Sequence, residues 1–277
     1  MTWLHPQRHQ RSGQAGRFVF FLMLTVVIVP AGAHADSFPQ VFEAVYIAHR
    51  NELLLGETRR TLRRDDQGTY VYTSRTRSKG WLAWLVKIDI EEISRWRWQN
   101  QQMIPLHYEY HRSAPKTKHM TLDFDWKKKQ LLRRSRDRDQ QQMAIPANTI
   151  DKHLLPLAIA RDLSFAMKEL HYTVADGHQI KTYAFEIVGR ETLTLPAGEF
   201  STLRLRRDSP KQLDIWIAPA LGYLPVRLVS HNDDDDSQLR LTLKTIHFPA
   251  EVAAATPAAI AGPDDTAVNA AATAPSP

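Results

Sequence analysis

Residues 181–229 read KTYAFEIVGRETLTLPAGEFSTLRLRRDSPKQLDIWIAPALGYLPVRLV and contain the pattern that decides the fold. From Tyr183 to Val188, every second side chain is large and apolar, which is the period of two of a half-buried strand. Pro196 and Gly198 then predict a chain reversal, because Pro fixes φ and Gly tolerates a positive φ. Alternation resumes in 203–206 and in 213–217. The stretch therefore predicts the antiparallel centre of a β domain.

The N-terminus has the three parts of a secretory signal. Arg8, Arg11 and Arg17 form a positive region, an apolar run follows, and Ala33-His34-Ala35 fits the small-x-small cleavage pattern. We expect a signal peptide over residues 1–35, export to the periplasm and no stable membrane span after cleavage. Cleavage removes three arginines from a formal charge of +6 and leaves +3. An exported protein with so little excess charge is not expected to bind nucleic acid.

Composition divides the remainder into one domain and a tail. Residues 36–249 are long enough for a single sizeable core. Residues 250–277 are rich in Ala and Pro, contain no aromatic residue and show no periodic apolar face, so we expect a disordered tail. The chain contains no cysteine, which excludes disulfides, a lipid-modified cysteine and a cysteine nucleophile.

Strands before the central stretch have one aromatic and one charged face. Trp96 and Trp98 alternate with arginines, and Tyr108 and Tyr110 alternate with histidine and glutamate. This pattern is typical of antiparallel sheets with one packed and one solvated side. Residues 131–138 are interpreted as one further strand with a basic edge.

One helix interrupts the strands. Apolar residues between Leu154 and Met167 supply one face, and Asn148-Thr149 is the expected N-cap. Pro156 indicates that the helix begins there or is kinked. The fold class predicted is mostly β: a curved antiparallel sheet or half-barrel with one helix packed against it.

Several of these segments together resemble a known family. LLLGETRRTLRR, YVYTSRTRSKGWLAWLV, PLHYEYHR and LDFDW precede the central KTYAFEIVGRETLTLPAGEFSTLRLRR and LDIWIAPALGYLPVRL. Over residues 41–247 they are similar to the exported bacterial family called domain of unknown function 3108 (DUF3108). The resemblance implies an envelope location and a half-barrel similar to periplasmic lipoprotein carriers. It supplies no catalytic residues.

Metal and cofactor chemistry is not predicted. His107, Glu109 and His111 form an H-x-E-x-H run on a strand, where residues i and i+4 lie about 13 Å apart. Both imidazoles therefore cannot readily reach one zinc ion at about 2 Å each. The acidic run 233–236 lacks the alternating ligands and glycine of a calcium loop. We expect no metal site and no cofactor.

Catalytic motifs are also missing from the sequence. There is no G-x-S-x-G and no glycine-rich phosphate loop. Asp123 and Asp125 share a strand face and are interpreted as solvated carboxylates. The basic run with Arg133, Arg134, Arg136 and Arg138 is interpreted as an exposed edge, with anionic lipid headgroups as the alternative. The expectation is a protein that is not an enzyme, with no catalytic residues.

A set of aromatic residues is the candidate ligand site. Its members are Trp81, Trp84, Trp96, Trp98, Tyr108, Tyr110, Phe124 and Trp126. Packed against the helix they form core; on the concave side of a partly filled half-barrel they line an apolar cleft. Two functions follow: a binding or carrier module for a lipid or other amphipathic envelope ligand, or a structural protein that contacts an envelope protein partner.

Overall fold

The computed structural model describes residues 38–80, 84, 87–114, 116–136, 138–208, 211–232 and 237–249. The predicted signal peptide, the predicted tail, Trp81 and the acidic run 233–236 lie outside these residues.

Fifteen strands and one α-helix make up the described chain, together with a 3₁₀ turn at Pro219–Leu221. The helix α1 is Leu155–Ser164. The strands are Phe42–Arg50 (β1), Leu53–Arg64 (β2), Tyr70–Ser78 (β3), Asp89–Gln99 (β4), Gln102–Ala114 (β5), Lys118–Asp125 (β6), Gln130–Ser135 (β7), Arg138–Ala144 (β8), Ile150–Asp151 (β9), Leu170–Asp176 (β10), Gln179–Leu195 (β11), Gly198–Arg207 (β12), Leu213–Ala218 (β13), Leu224–Asn232 (β14) and Ser237–His247 (β15).

All strands belong to one sheet in the order β8-β7-β6-β5-β4-β3-β2-β1-β15-β14-β13-β12-β11-β10-β9. Neighbours are antiparallel except β9 and β10, which pair in parallel. The sheet does not close, because β8 and β9 end it without pairing to each other. The predicted fold class, a mostly β protein with an antiparallel sheet and one packed helix, is confirmed.

One face of the sheet carries the core, and we call it the inner face. Along β1, Phe42, Ala44, Tyr46 and Ala48 are buried and their neighbours are partly exposed. Phe42, Ala44 and Tyr46 pack in one cluster with Leu157 and other residues of α1. The period of two read from the sequence therefore identifies the inner face correctly.

The hairpin of β10 and β11 packs onto the inner face of the far end of the sheet. Ala175 and Ile180 share a second apolar cluster with Tyr108, Leu122 and Leu131 of β5, β6 and β7. The Gln141 side-chain amide of β8 also donates to the backbone carbonyl of His178 in the hairpin turn, at 3.4 Å. The curled sheet thus overlaps itself without joining its edges.

The helix begins at Leu155, and Pro156 occupies its first turn, where a missing N–H costs nothing. The expected cap at Asn148-Thr149 is wrong: the Thr149 hydroxyl donates to the carbonyl of Pro146. Asp151 instead accepts the backbone N–H groups of residues 153 and 154, just before the helix.

The expected single strand over residues 131–138 is divided between β7 and β8. Its arginines also point to opposite faces, as successive strand residues must. Arg133 lies opposite Leu122 on the inner face and is buried, whereas Arg134 pairs with Asp123 on the outer face. The expected exposed basic edge is therefore wrong for Arg133.

Candidate functional site

Two of the candidate aromatic residues are fully enclosed in the core. Trp96 and Tyr108 both have an exposed fraction of 0%. Trp96 stacks on Tyr70 with ring centroids 4.6 Å apart, and the Tyr108 hydroxyl donates to Glu92 Oε1 at 2.6 Å. Both rings contact protein on all sides.

Two further candidates are half-buried at different places on the inner face. Trp98 meets Phe38 edge to face, with centroids 5.1 Å apart. Tyr110 lies beneath the Lys152 ammonium, which is 5.1 Å from its ring centroid. These side chains keep some exposed surface but already have protein partners.

Phe124 and Trp126 pack with Tyr108 and Tyr110 in the second apolar cluster, whereas Trp96 and Trp98 belong to the main core. Phe124 and Trp126 stack at 5.9 Å, and Trp126 Nε1 donates to the Pro105 carbonyl at 2.6 Å. Trp84, between β3 and β4, is 93% exposed. Of the candidates in the described chain, only Trp84 offers a largely free ring.

A different set of apolar side chains is exposed at one end of the inner face. Leu53 and Leu239 lie on either side of Arg50 in a single row across β2, β1 and β15. Ile187 lies opposite the core residue Leu205 at a bulge in β11. The strand register continues this row through β13 and β14 to Leu241 of β15. We call Leu53, Ile187 and Leu239 the apolar rim. Their exposed fractions are 42%, 47% and 45%.

Burial along β15 shows how the rim continues from the core. Leu243 is fully buried, Leu241 is half-buried and Leu239 is 45% exposed, although all three face inward. Leu243 belongs to the core cluster that includes residues of α1, and Leu241 packs against that cluster. An apolar strip therefore leads from the core to solvent.

The neighbouring part of the inner face, on β2, β3 and β4, is polar. The hydroxyls of Thr58 and Thr76 lie 2.8 Å apart. Arg60 lies over the Tyr46 ring at 5.0 Å, while its Nε and Nη1 atoms have no hydrogen-bond partner. The inner face thus places polar groups beside the apolar strip.

A buried polar trio links β4 to the segment before α1. Ser94 Oγ donates to Asp151 Oδ1 at 2.8 Å and lies 3.1 Å from His153 Nδ1. His153 stacks on Tyr72 with centroids 4.2 Å apart. All three members of the trio are buried.

Burial sets the proton affinities of the trio. It raises the pKa of Asp151 to about 7, although hydrogen bonds from Ser94 and the backbone oppose it. It lowers the pKa of His153 to about 3, against the attraction of Glu92. Burial also acts to raise the pKa of Glu92, but Lys152, at 3.4 Å, and the Tyr108 hydroxyl hold it below the ordinary value.

This trio is not arranged for nucleophilic catalysis. A serine nucleophile needs an exposed Oγ and a histidine that lies between it and the acid. Here Ser94 lies between His153 and Asp151, and it has no exposed surface. The arrangement fixes the helix to the sheet.

The metal-ligand and carboxylate candidates named from the sequence lie on the outer face and contact neighbouring surface residues. His107 Nδ1 lies 2.7 Å from Asp123 Oδ1, and Asp125 accepts the backbone N–H of Lys128. Asp123 and Asp125 thus have separate partners on the surface. In the described part of the chain, no three His, Asp or Glu side chains are already arranged around a metal position. No helix among the described residues is both long and apolar enough to cross a bilayer.

Comparison with known families decides the relationship suggested by the strand pattern. Residues 44–244 match the family described as "Protein of unknown function (DUF3108)". The chain belongs to the DUF3108 family. A comparison with curated proteins gives no match.

Solved structures give weaker likenesses to this DUF3108 chain. A β-barrel-like DUF1849 protein from Brucella abortus has 7% identity and a TM-score of 0.49, covering 75% of this chain and 97% of its own. A DUF1329 protein from Desulfovibrio piger has 9% identity and a TM-score of 0.22, covering 78% and 88%. The Pseudomonas aeruginosa MucA/MucB complex has 9% identity and a TM-score of 0.16, covering 76% and 94%. With TM-scores below 0.5, none of them carries a functional argument.

The apolar rim of this DUF3108 protein was missed by sequence reasoning. Leu239 belongs to the same alternation as Leu241 and Leu243, so nothing in the pattern separates an exposed member from a buried one. The buried trio was missed because Ser94 and Asp151 lie 57 residues apart and carry no motif.

Proposed function

We propose that this DUF3108 protein is a non-enzymatic binding or carrier module for an apolar or amphipathic ligand of the cell envelope. The single observation that carries the proposal is the apolar rim: three large inward-facing side chains, each more than 40% exposed, that continue the core to solvent. Exposed apolar surface of this kind is typical of ligand grooves and interaction sites.

The apolar part of the ligand is proposed to lie along the strip from Leu241 to the rim. Covering Leu239 and Ile187 removes apolar surface from water, which favours binding by roughly 25 cal/mol per Å². Trp84 is the candidate aromatic residue whose ring is free to contribute. The buried Trp96 and Tyr108 would then support the site from within the core.

The polar part of the ligand is proposed to face β2 and β3. Thr58 of β2 and Thr76 of β3 are directly opposite each other and supply hydroxyls. They lie one inward-facing row away from the pair formed by Gly56 and Ala48. A polar wall beside an apolar one suits a molecule with both characters. This supports an amphipathic ligand over an entirely apolar one.

The periplasm is the proposed location. Support comes from the charged, apolar and small-residue segments that precede Asp36 in the sequence. A carrier for envelope lipids would act in this compartment.

Native purification tests the proposal. The protein, expressed with its own N-terminus in a Gram-negative host, is isolated from periplasm without detergent, and bound small molecules are identified by mass spectrometry. We expect a stoichiometric amphipathic molecule that is lost from Ile187→Ser and Leu239→Ser variants. Recovery of no such molecule above the level found with a denatured control would contradict the proposal.

One observation favours a second function, that of an envelope protein that pairs with a partner strand. β8 ends the sheet, and within the described residues one of its edges has no neighbouring strand. An edge of this kind accepts an added strand. A photo-crosslinking residue at Gln140 should then give one discrete protein adduct in intact cells, which the same residue at Lys128 on the β6–β7 turn should not give. Equal labelling from both positions would exclude the edge.

A further inference from the structure

Two histidines face each other across neighbouring strands on the outer face. His111 of β5 is directly opposite His119 of β6, and their ring centroids are 6.0 Å apart. Glu91 of β4 is directly opposite His111 on its other side. Glu109 Oε1 lies 2.8 Å from His119 Nε2. These four side chains line a depression of about 490 Å³.

The spacing between His111 and His119, which lie on neighbouring strands, differs from that between His107 and His111 along one strand. Two imidazoles bound to a tetrahedral metal ion at about 2.0–2.1 Å have ring centroids about 5 Å apart. The observed 6.0 Å between His111 and His119 is closed by small rotations of two side chains that are both solvent-exposed. Cross-strand neighbours therefore satisfy a geometry that His107 and His111 cannot.

The contact between Glu109 and His119 supplies a third donor. A carboxylate oxygen and an imidazole nitrogen 2.8 Å apart share one proton. A metal ion can replace this proton and bind both Glu109 Oε1 and His119 Nε2. The two atoms then need to move apart by only a few tenths of an ångström. Since three donors are not already arranged around one point, the His111 ring must turn toward His119 when the ion binds.

We propose that Glu109, His111 and His119, with Glu91 or water as fourth ligand, bind a divalent transition-metal ion of the Zn²⁺ or Cu²⁺ type. Two imidazoles with a carboxylate select these ions over Mg²⁺ and Ca²⁺, which take oxygen ligands. Arg136 lines the same depression and Arg75 lies 3.7 Å from Glu91, so both arginines oppose a cation, while Glu91 and Glu109 bring two negative charges. This site is independent of the apolar rim on the inner face.

Calorimetric titration with ZnCl₂ and with CuCl₂ tests the site, using the full chain without a polyhistidine tag. We expect one ion per chain with a dissociation constant below about 10 μM, and a loss of about 100-fold or more in His111→Ala and in His119→Ala. His107→Ala is the matched control, because His107 lies on the same strand and face but is held by Asp123; it should leave the affinity unchanged.

A second measurement keeps the result independent of folding. Far-ultraviolet circular dichroism should be the same for all three variants, and the Cu²⁺ electron paramagnetic resonance spectrum should show coupling to two imidazole nitrogens that falls to one in His119→Ala. Binding weaker than about 100 μM, or an equal loss in His107→Ala, would overturn the proposal.

Discussion

Ser94 Oγ donates a hydrogen bond of 2.8 Å to Asp151 Oδ1, and this bond joins β4 to the segment that begins α1. The same carboxylate oxygen accepts the backbone N–H groups of His153 and Leu154. Because Asp151 is fully buried, its protonation state is coupled to folding.

Asp151→Asn should change how stability depends on pH. The pKa of Asp151 is raised to about 7 in the folded chain from 3.8, so between these values the folded chain holds a proton that the unfolded chain has released. The stability that protonated Asp151 contributes is fully present below pH 3.8 and is lost as the pH rises through about 7. Relative to Asp151→Asn, the original chain should lose up to about 1.4 kcal/mol per pH unit in this window.

The measurement is urea denaturation of both proteins across the window from acid to neutral pH. The exposed Asp66→Asn variant controls for the removal of one carboxylate. A free-energy difference between the original chain and Asp151→Asn that stays constant with pH would refute the coupling.

Gly56→Ala should destabilise the sheet. A Cβ at Gly56 would overlap the carbonyl oxygen of Arg77 on the adjacent strand, so β2 and β3 would have to separate. We expect a loss of about 1–3 kcal/mol in the free energy of unfolding, as for other overpacked sites. Gly189→Ala is the matched control, since nothing lies within 4 Å of its added Cβ, and it should change stability by no more than about 0.5 kcal/mol. Equal effects at the two glycines, measured by denaturation, would show that the strands are not this close.

Trp96→Ala and Trp84→Ala should separate core from surface among the candidate aromatic residues. Trp96 has no exposed surface, whereas Trp84 is 93% exposed. Truncating Trp96 should lower the free energy of unfolding by about 3–5 kcal/mol. Truncating Trp84 should change it by no more than about 0.5 kcal/mol. Chemical denaturation measures both, and a small loss at Trp96 would mean that its ring is not packed.

The faces of the strands could be predicted from the sequence, because a period of two needs only local information. Trp96 and Tyr108 were each placed on the aromatic face of their strand by alternation with Arg95 and His107, and both are fully buried. The pairing of residues distant in sequence could not be predicted. Asp151 and Ser94 lie 57 residues apart, yet their side chains form a hydrogen bond.

The position of a residue along its strand was also beyond sequence reasoning. Leu239 and Leu243 are chemically identical and face the same way, yet one is exposed and the other is buried. Leu243 lies within the core cluster that includes α1, whereas Leu239 lies outside it. The candidate aromatic residues were predicted as one group, and in the described chain they are divided between the main core and the second apolar cluster, with Trp84 exposed.

The most direct test of the central claim is titration of N-phenylnaphthylamine, a fluorescent apolar probe, against four versions of the chain. Ile187→Ser and Leu239→Ser alter the apolar rim, while Phe165→Ser removes an equally exposed apolar side chain beside α1; the exposed fractions are 47%, 45% and 48%. Each rim change should weaken probe binding about five- to tenfold, or about 1–1.4 kcal/mol, with an unchanged melting temperature, and Phe165→Ser should bind like the original chain. Equal binding by all four versions, or a loss that follows Phe165 instead, would contradict a ligand site at the apolar rim.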